Sequence, residues 1–96
     1  MFSHFLNQVL AIGDKTRWRI LRELSAGKPL TVREVAEAIG RSSTVAAKHL
    51  AVPRKAGITR IGRGRLQQIV PQFLPEPSAQ VLDLGYLQLQ LGIEEP

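Results

Sequence analysis

The 96-residue chain contains no cysteine, which excludes a disulfide framework, a thiolate metal site and a thiol redox switch together. No apolar run approaches the ~18–20 residues that a membrane-spanning helix needs. The first residues, Met1 to Ile12, are apolar but lack a basic leader segment. No signal peptide is therefore expected, and the chain reads as complete and cytoplasmic. Histidine is confined to His4 and His49, and the acids lie toward the two ends. Neither a nucleophile with its base nor a carboxylate pair can be assembled from such a set, so an enzyme is not expected, nor a metal or cofactor. Aromatic residues are few, and Phe2, Phe5, Trp18, Phe73 and Tyr86 all lie outside the basic part of the chain. Single-stranded RNA recognition by base stacking would want them interleaved with it.

The acids are missing where the bases are concentrated. Residues 1–37 carry six Lys/Arg and four Asp/Glu, residues 38–75 carry seven Lys/Arg and no acid, and residues 76–96 carry four acids and no base. A solvated basic face is the plain explanation of such a run. Thirty-eight consecutive residues without a carboxylate point further, to a polyanionic partner such as nucleic acid. The length suits one domain with a single core.

Phe2, Phe5, Leu6, Val9 and Leu10 recur at helical spacing, which predicts an N-terminal helix over residues 1–12. Asp14 is placed to cap a second helix, from about Lys15 to Ser25, that buries Trp18, Ile20, Leu21 and Leu24. Arg17, Arg19, Arg22 and Glu23 fall mostly on its wet side. Ala26 and Gly27 end it, and Pro29 keeps it ended. Thr31 and Glu34 form a capping box ahead of Val32, Val35, Ala36 and Ile39, and Gly40 supplies a left-handed stop. Ser42 caps a further helix from Ser43. Helix, glycine turn, capped helix over residues 31–55 is helix-turn-helix spacing. Ile58 to Ile61 and Leu66 to Val70 then read as two strands around Gly62-Arg63-Gly64, a β-hairpin over residues 58–70 with an arginine at its tip. Pro71, Pro75 and Pro77 mark a stiff connector. Leu82, Leu84 and Tyr86 alternate, then Leu87, Leu89 and Leu91 alternate in the other phase. That change predicts either a bulged strand or two short strands in the tail over residues 71–96. The fold class is mainly α with a small β-hairpin, α+β, in one domain.

Several of these motifs, in this order, resemble the arsenic-repressor class of bacterial winged helix-turn-helix regulators. The resemblance rests on Gly13-Asp14-Lys15-Thr16-Arg17-Trp18-Arg19-Ile20-Leu21, on Glu34 to Gly40 with Ser42 and Lys48-His49-Leu50, and on Lys55-Ala56-Gly57-Ile58 before the hairpin. It covers about residues 10–70. It implies a homodimer that lays a recognition helix in the major groove with the hairpin as a wing beside it. Many members sense metals through a Cys-x-Cys pair, and the matching place here holds Thr31-Val32-Arg33, so that function does not carry over. Pro53 stands where the class usually has leucine. Lacking the amide that would bond the His49 carbonyl, it is expected to end or kink the recognition helix close to residue 52.

On that helix Ala46 and Leu50 face the core, while Ser43, Thr44, Ala47, Lys48 and Ala51 face outward. Ser43 and Thr44 at its start suit a phosphate or serve only as caps. Lys48 reaches a phosphate or a guanine edge, or is simply solvated. The alanines permit close approach and give little hydrogen-bonding specificity. Arg41, Arg54, Lys55, Arg60, Arg63 and Arg65 flank the duplex, with Arg63 the candidate for a wing contact. His49 reads as half-buried beside the turn and His4 as without a role. The expected partner is double-stranded DNA, with no membrane, and the function a sequence-specific regulator, a repressor in the first instance. A winged-helix protein–protein interaction module without DNA binding is the alternative. Phe2, Phe5 and Val9, with Leu82 to Leu91, are more apolar surface than so small a core needs, so a two-fold dimer through the N-terminal helix and the tail is expected.

Overall fold

Among the described residues, four α-helices are followed by two small antiparallel hairpins: a winged helix-turn-helix of the α+β class. The computed structural model describes residues 2–26, 28–76 and 79–92, with side chains from residue 5 onward. The expected parts of Gly27, Pro77, Glu94 and Glu95 lie outside the described residues, as do the side chains of Phe2 and His4.

The second, third and fourth helices each begin where a polar side chain satisfies an orphan amide. Helix α1 spans Phe2–Ile12, and the N–H of Gly13 donates back to the Val9 carbonyl at 2.9 Å. Asp14, in extended conformation, accepts from the Arg17 N–H at 3.0 Å and opens α2, Lys15–Leu24. Helix α3, Val32–Ile39, starts on the complete capping box: Glu34 N–H donates to Thr31 Oγ1 at 3.1 Å and Thr31 N–H to Glu34 Oε1 at 2.9 Å. Gly40 ends it at φ +69, a left-handed conformation that costs glycine nothing. Ser42 then accepts from Val45 N–H and opens α4, Ser43–Lys55.

Of the two outcomes expected at Pro53, an end or a kink near residue 52, the end does not occur. Helix α4 runs on to Lys55 with Pro53 inside it, and Ala56 N–H still donates to the Val52 carbonyl at 3.1 Å. Only the rung to His49 is forgone. The proline ring lies buried on the helix's inward side, where its apolar atoms replace solvent with core contact.

Strands β1 (Thr59–Ile61) and β2 (Gln67–Ile69) pair with Thr59 opposite Ile69 and Ile61 opposite Gln67. Leu30, just before the capping box, lies against the other edge of β2. Its N–H and carbonyl exchange bonds with those of Gln67 at 3.0 and 2.6 Å. This third partner was not foreseen. The turn of the wing is closed by Gly62 N–H donating to the Leu66 carbonyl at 2.7 Å, with Gly64 and Arg65 both at positive φ, +71 and +61.

The tail resolves into two short strands, β3 (Val81–Asp83) and β4 (Gln88–Gln90), paired with Leu82 opposite Leu89. Three of its leucines are not surplus surface, while Leu87 is exposed. Leu82, Leu84 and Leu91 are buried in the same core as Ile20, Leu21 and Leu24 of α2, Val35 and Ile39 of α3, and Leu50 of α4. Gln80 helps hold the hairpin in place, its Nε2 donating to the Arg22 carbonyl at 3.1 Å. Trp18 is half-buried against the core rather than enclosed by it.

Candidate nucleic-acid interface

At about 100° per residue, Ser43, Thr44, Ala47, Lys48, Ala51, Arg54 and Lys55 share an arc of roughly 140° on α4. Ala46, Leu50 and Pro53, all buried, lie outside that arc. The core therefore turns the first set outward, and Ser43, Thr44, Ala47, Lys48, Arg54 and Lys55 are exposed, with Ala51 half-buried. Because Pro53 does not end the helix, Arg54 and Lys55 continue the face that Lys48 begins. A helix is the element that the ≈12 Å-wide major groove admits.

Arg41 stands ahead of this face, set by the glycine turn: its N–H donates to the Ala36 carbonyl at 3.0 Å and its side chain is exposed. On the wing, the pleat sends Thr59 inward and Arg60 outward, and Arg63 and Arg65 project from the turn. All ten residues anticipated for DNA contact are thus exposed. The seven cations among them, Arg41, Lys48, Arg54, Lys55, Arg60, Arg63 and Arg65, enter no ion pair among the described residues. Exposed arginine and lysine without local acids keep their charge available for phosphate. At the start of α4 the Ser42 hydroxyl is committed to capping, which leaves the Ser43 and Thr44 hydroxyls outward.

Arg17 departs from expectation. Only 16% of its side chain is exposed, and it points inward to a corner where α1, α2 and α4 meet. Its Nε and Nη2 donate to the Leu10 carbonyl at 3.2 and 2.8 Å. Its Nη1 lies 3.4 Å from His49 Nδ1, and Asp14 Oδ2 is 3.9 Å from Nη1 and 3.8 Å from that ring nitrogen. The Arg17 N–H holds the Asp14 carboxyl below its ordinary range, burial opposes this, and the charges of Arg17 and His49 add to it. Arg19, Arg22 and Glu23, also placed on the wet side of α2, are half-buried. Helical spacing could not reveal this, because the groups that cover them come from other elements. His49 is half-buried, as expected for a residue beside the turn.

Among the described residues no group of three or more His, Asp or Glu is arranged to hold a metal. Among the same residues no helix is long and apolar enough to cross a membrane.

No curated protein matches the chain. A family model described as a helix-turn-helix domain matches residues 12–61, from the end of α1 through the first strand of the wing. That match spans 50 of the 96 residues and takes in Asp14, the capping box, the glycine turn and all of α4. The chain belongs to this helix-turn-helix domain family.

Proposed function

We propose that the protein is a transcriptional regulator that binds double-stranded DNA in a sequence-specific manner, with α4 in the major groove and the wing arginines on the adjoining backbone. The observation that carries this reading is the exposed, unpaired cationic surface of α4 and the wing, in a stretch of chain without a single acid. Lys48 and the amides at the start of α4 would meet phosphates or base edges, and Arg63 and Arg65 would meet the backbone or minor groove. The small residue Ala47 permits close approach, so shape and phosphate contacts would supply much of the affinity. The action proposed is repression, through occupation of the DNA that α4 and the wing would cover.

The working unit would be a two-fold dimer of the arsenic-repressor type. Phe5, Leu6, Val9 and Leu10 of α1 are exposed, and Tyr86 and Leu87 from the tail hairpin continue that face. The Phe5 and Tyr86 rings meet at a tilt of 52° with centroids 5.1 Å apart, and the Tyr86 hydroxyl donates to Gln8 Oε1 at 2.7 Å. The apolar face thus belongs to α1 and the hairpin turn with Leu87, not to the buried Leu82, Leu84 and Leu91. A dimer would set two recognition helices about 34 Å apart, one turn of DNA.

The test is retention of native genomic fragments at near-physiological salt, followed by sequencing. Enrichment of a two-fold symmetric site, weakened by Lys48→Ala and Arg63→Ala, is the expected result. Retention without an enriched sequence would replace regulation with architectural binding. No retention would move the function to a protein partner.

A further inference from the structure

The stretch Gly13 to Leu21 contributes nothing to the cationic face, yet it holds a polar side chain that spans three helices. Within it, Ile20 and Leu21 are core and Asp14 is a cap. Arg17 is different. Two of its donors converge on the Leu10 carbonyl, in the last turn of α1, where carbonyls lack intrahelical partners and a cation is favoured. Its third approaches Nδ1 of His49, between Lys48 and Leu50 on α4.

From this geometry we infer that Arg17 is a positioning residue for DNA binding: it holds α4, through His49, at the angle its outward face needs. The inference rests on the DNA-binding reading above. Helix α4 is seated on the core by Ala46, Leu50 and Pro53. Such apolar contact is non-directional, and an alanine leaves room for a helix to roll. The guanidinium–imidazole contact is directional and lies on the side of α4 turned toward α1 and α2. Binding constellations need their parts held within about 0.5 Å and 10–20°, so a contact at this corner governs where Lys48 arrives. Nδ1 faces a guanidinium that can only donate, so a bond to Arg17 needs it as the acceptor with the proton on Nε2, while the Asp14 carboxylate 3.8 Å from the same nitrogen favours the other tautomer.

The experiment compares wild-type protein with Arg17→Ala, His49→Asn and His49→Leu on a fluorescein-labelled duplex carrying the enriched site, or a random-sequence duplex if none is enriched. Anisotropy is read across a salt series, well below each variant's unfolding temperature. Arg17→Ala and His49→Leu should each weaken binding about tenfold with a salt slope parallel to wild type. His49→Asn, whose Oδ1 takes the place of Nδ1 and can accept the same bond, should bind within about threefold of wild type. Combining Arg17→Ala with His49→Leu should cost little more than either alone, since both break one contact. A slope shallower by about 0.9 in Arg17→Ala would make Arg17 a phosphate ligand and overturn the inference. So would unchanged affinity in the folded variants. Should Arg17→Ala fail to fold, the contrast between the two His49 variants decides alone. If wild-type protein binds no duplex, the function proposed above falls. The corner is then judged by imidazole nitrogen NMR, where an Nε2–H tautomer lost in Arg17→Ala supports it and an unchanged spectrum refutes it.

Discussion

Replacing Arg65 with glycine should make the protein more stable and weaken its hold on DNA at the same time. Arg65 sits at φ +61, directly after Gly64 at +71. A side-chain-bearing residue in the left-handed region carries a penalty of about 1–2 kcal/mol. Glycine removes it but returns about 0.4–1 kcal/mol through the greater freedom it gives the unfolded chain. Because the Arg65 side chain is exposed and makes no ion pair, no further contact is lost. The net gain is about 0.5–1 kcal/mol, or roughly 3–6 °C in Tm for a domain of this size. The same change deletes a cation from the wing tip. If Arg65 meets a phosphate, the slope of log affinity against log salt becomes shallower by about 0.9. Thermal unfolding followed by circular dichroism gives the first quantity. Anisotropy between about 50 and 200 mM salt gives the second. A fall in Tm would refute the strain argument, because the arginine would then be holding the turn. A rise in Tm with unchanged affinity and slope would refute the placement of the wing tip on DNA. Arg65→Asn should fall between, since asparagine tolerates this conformation better than arginine.

Four further outcomes are expected. The Asp14 carboxyl titrates lower in the folded than in the unfolded chain, so the stability it contributes is present at neutral pH. That stability is lost as the pH falls from the unfolded value of about 3.9 through the lower folded one. Asp14→Asn should therefore flatten the acid limb of Tm against pH, and coincident acid limbs would count against the cap. Leu50→Ala should cost about 2–5 kcal/mol in urea unfolding, because the side chain is wholly enclosed at the centre of α4; a loss under 1 kcal/mol would mean the core closes around it. Gly40→Ala should cost about 1 kcal/mol from backbone conformation alone, since nothing lies within 4 Å of the added carbon; a loss above about 3 kcal/mol would require a clash that the structure does not contain. Val9→Glu should leave the monomer folded and drive sedimentation to the monomer, and a persistent dimer would place the interface elsewhere.

Local chemistry made most of the fold readable. Asp14, Thr31 with Glu34, Gly40 and Ser42 each act within three or four residues, so their meaning does not depend on the rest of the chain. The wing was legible for the same reason, from two glycines between β-prone runs. The cationic face followed from helical phase once Ala46 and Leu50 were assigned inward. What escaped depends on distant partners. The tail's alternation showed strands but not that Leu82, Leu84 and Leu91 would close over α2 and α3. Arg17 occupies a helical position that looks wet until Leu10 and His49 are brought to it. Pro53 shows a general local rule overruled by burial, because one missing rung is tolerated where the ring itself completes the core.

The pairing of Leu30 with β2 bears on the thermodynamics of recognition. A two-stranded ribbon by itself is only marginally ordered in water. Here the ribbon is stitched along its second edge to the residue that leads into α3. Arg60, on β1, and Arg63 and Arg65, in the turn, are therefore carried by a ribbon whose second strand is tied to the helices. Ordering of a loose arm subtracts from the strength of many complexes, and that loss would be reduced if the wing meets DNA as proposed. Association should accordingly resemble the docking of two rigid surfaces, with a small heat-capacity change and little change in amide protection across the wing.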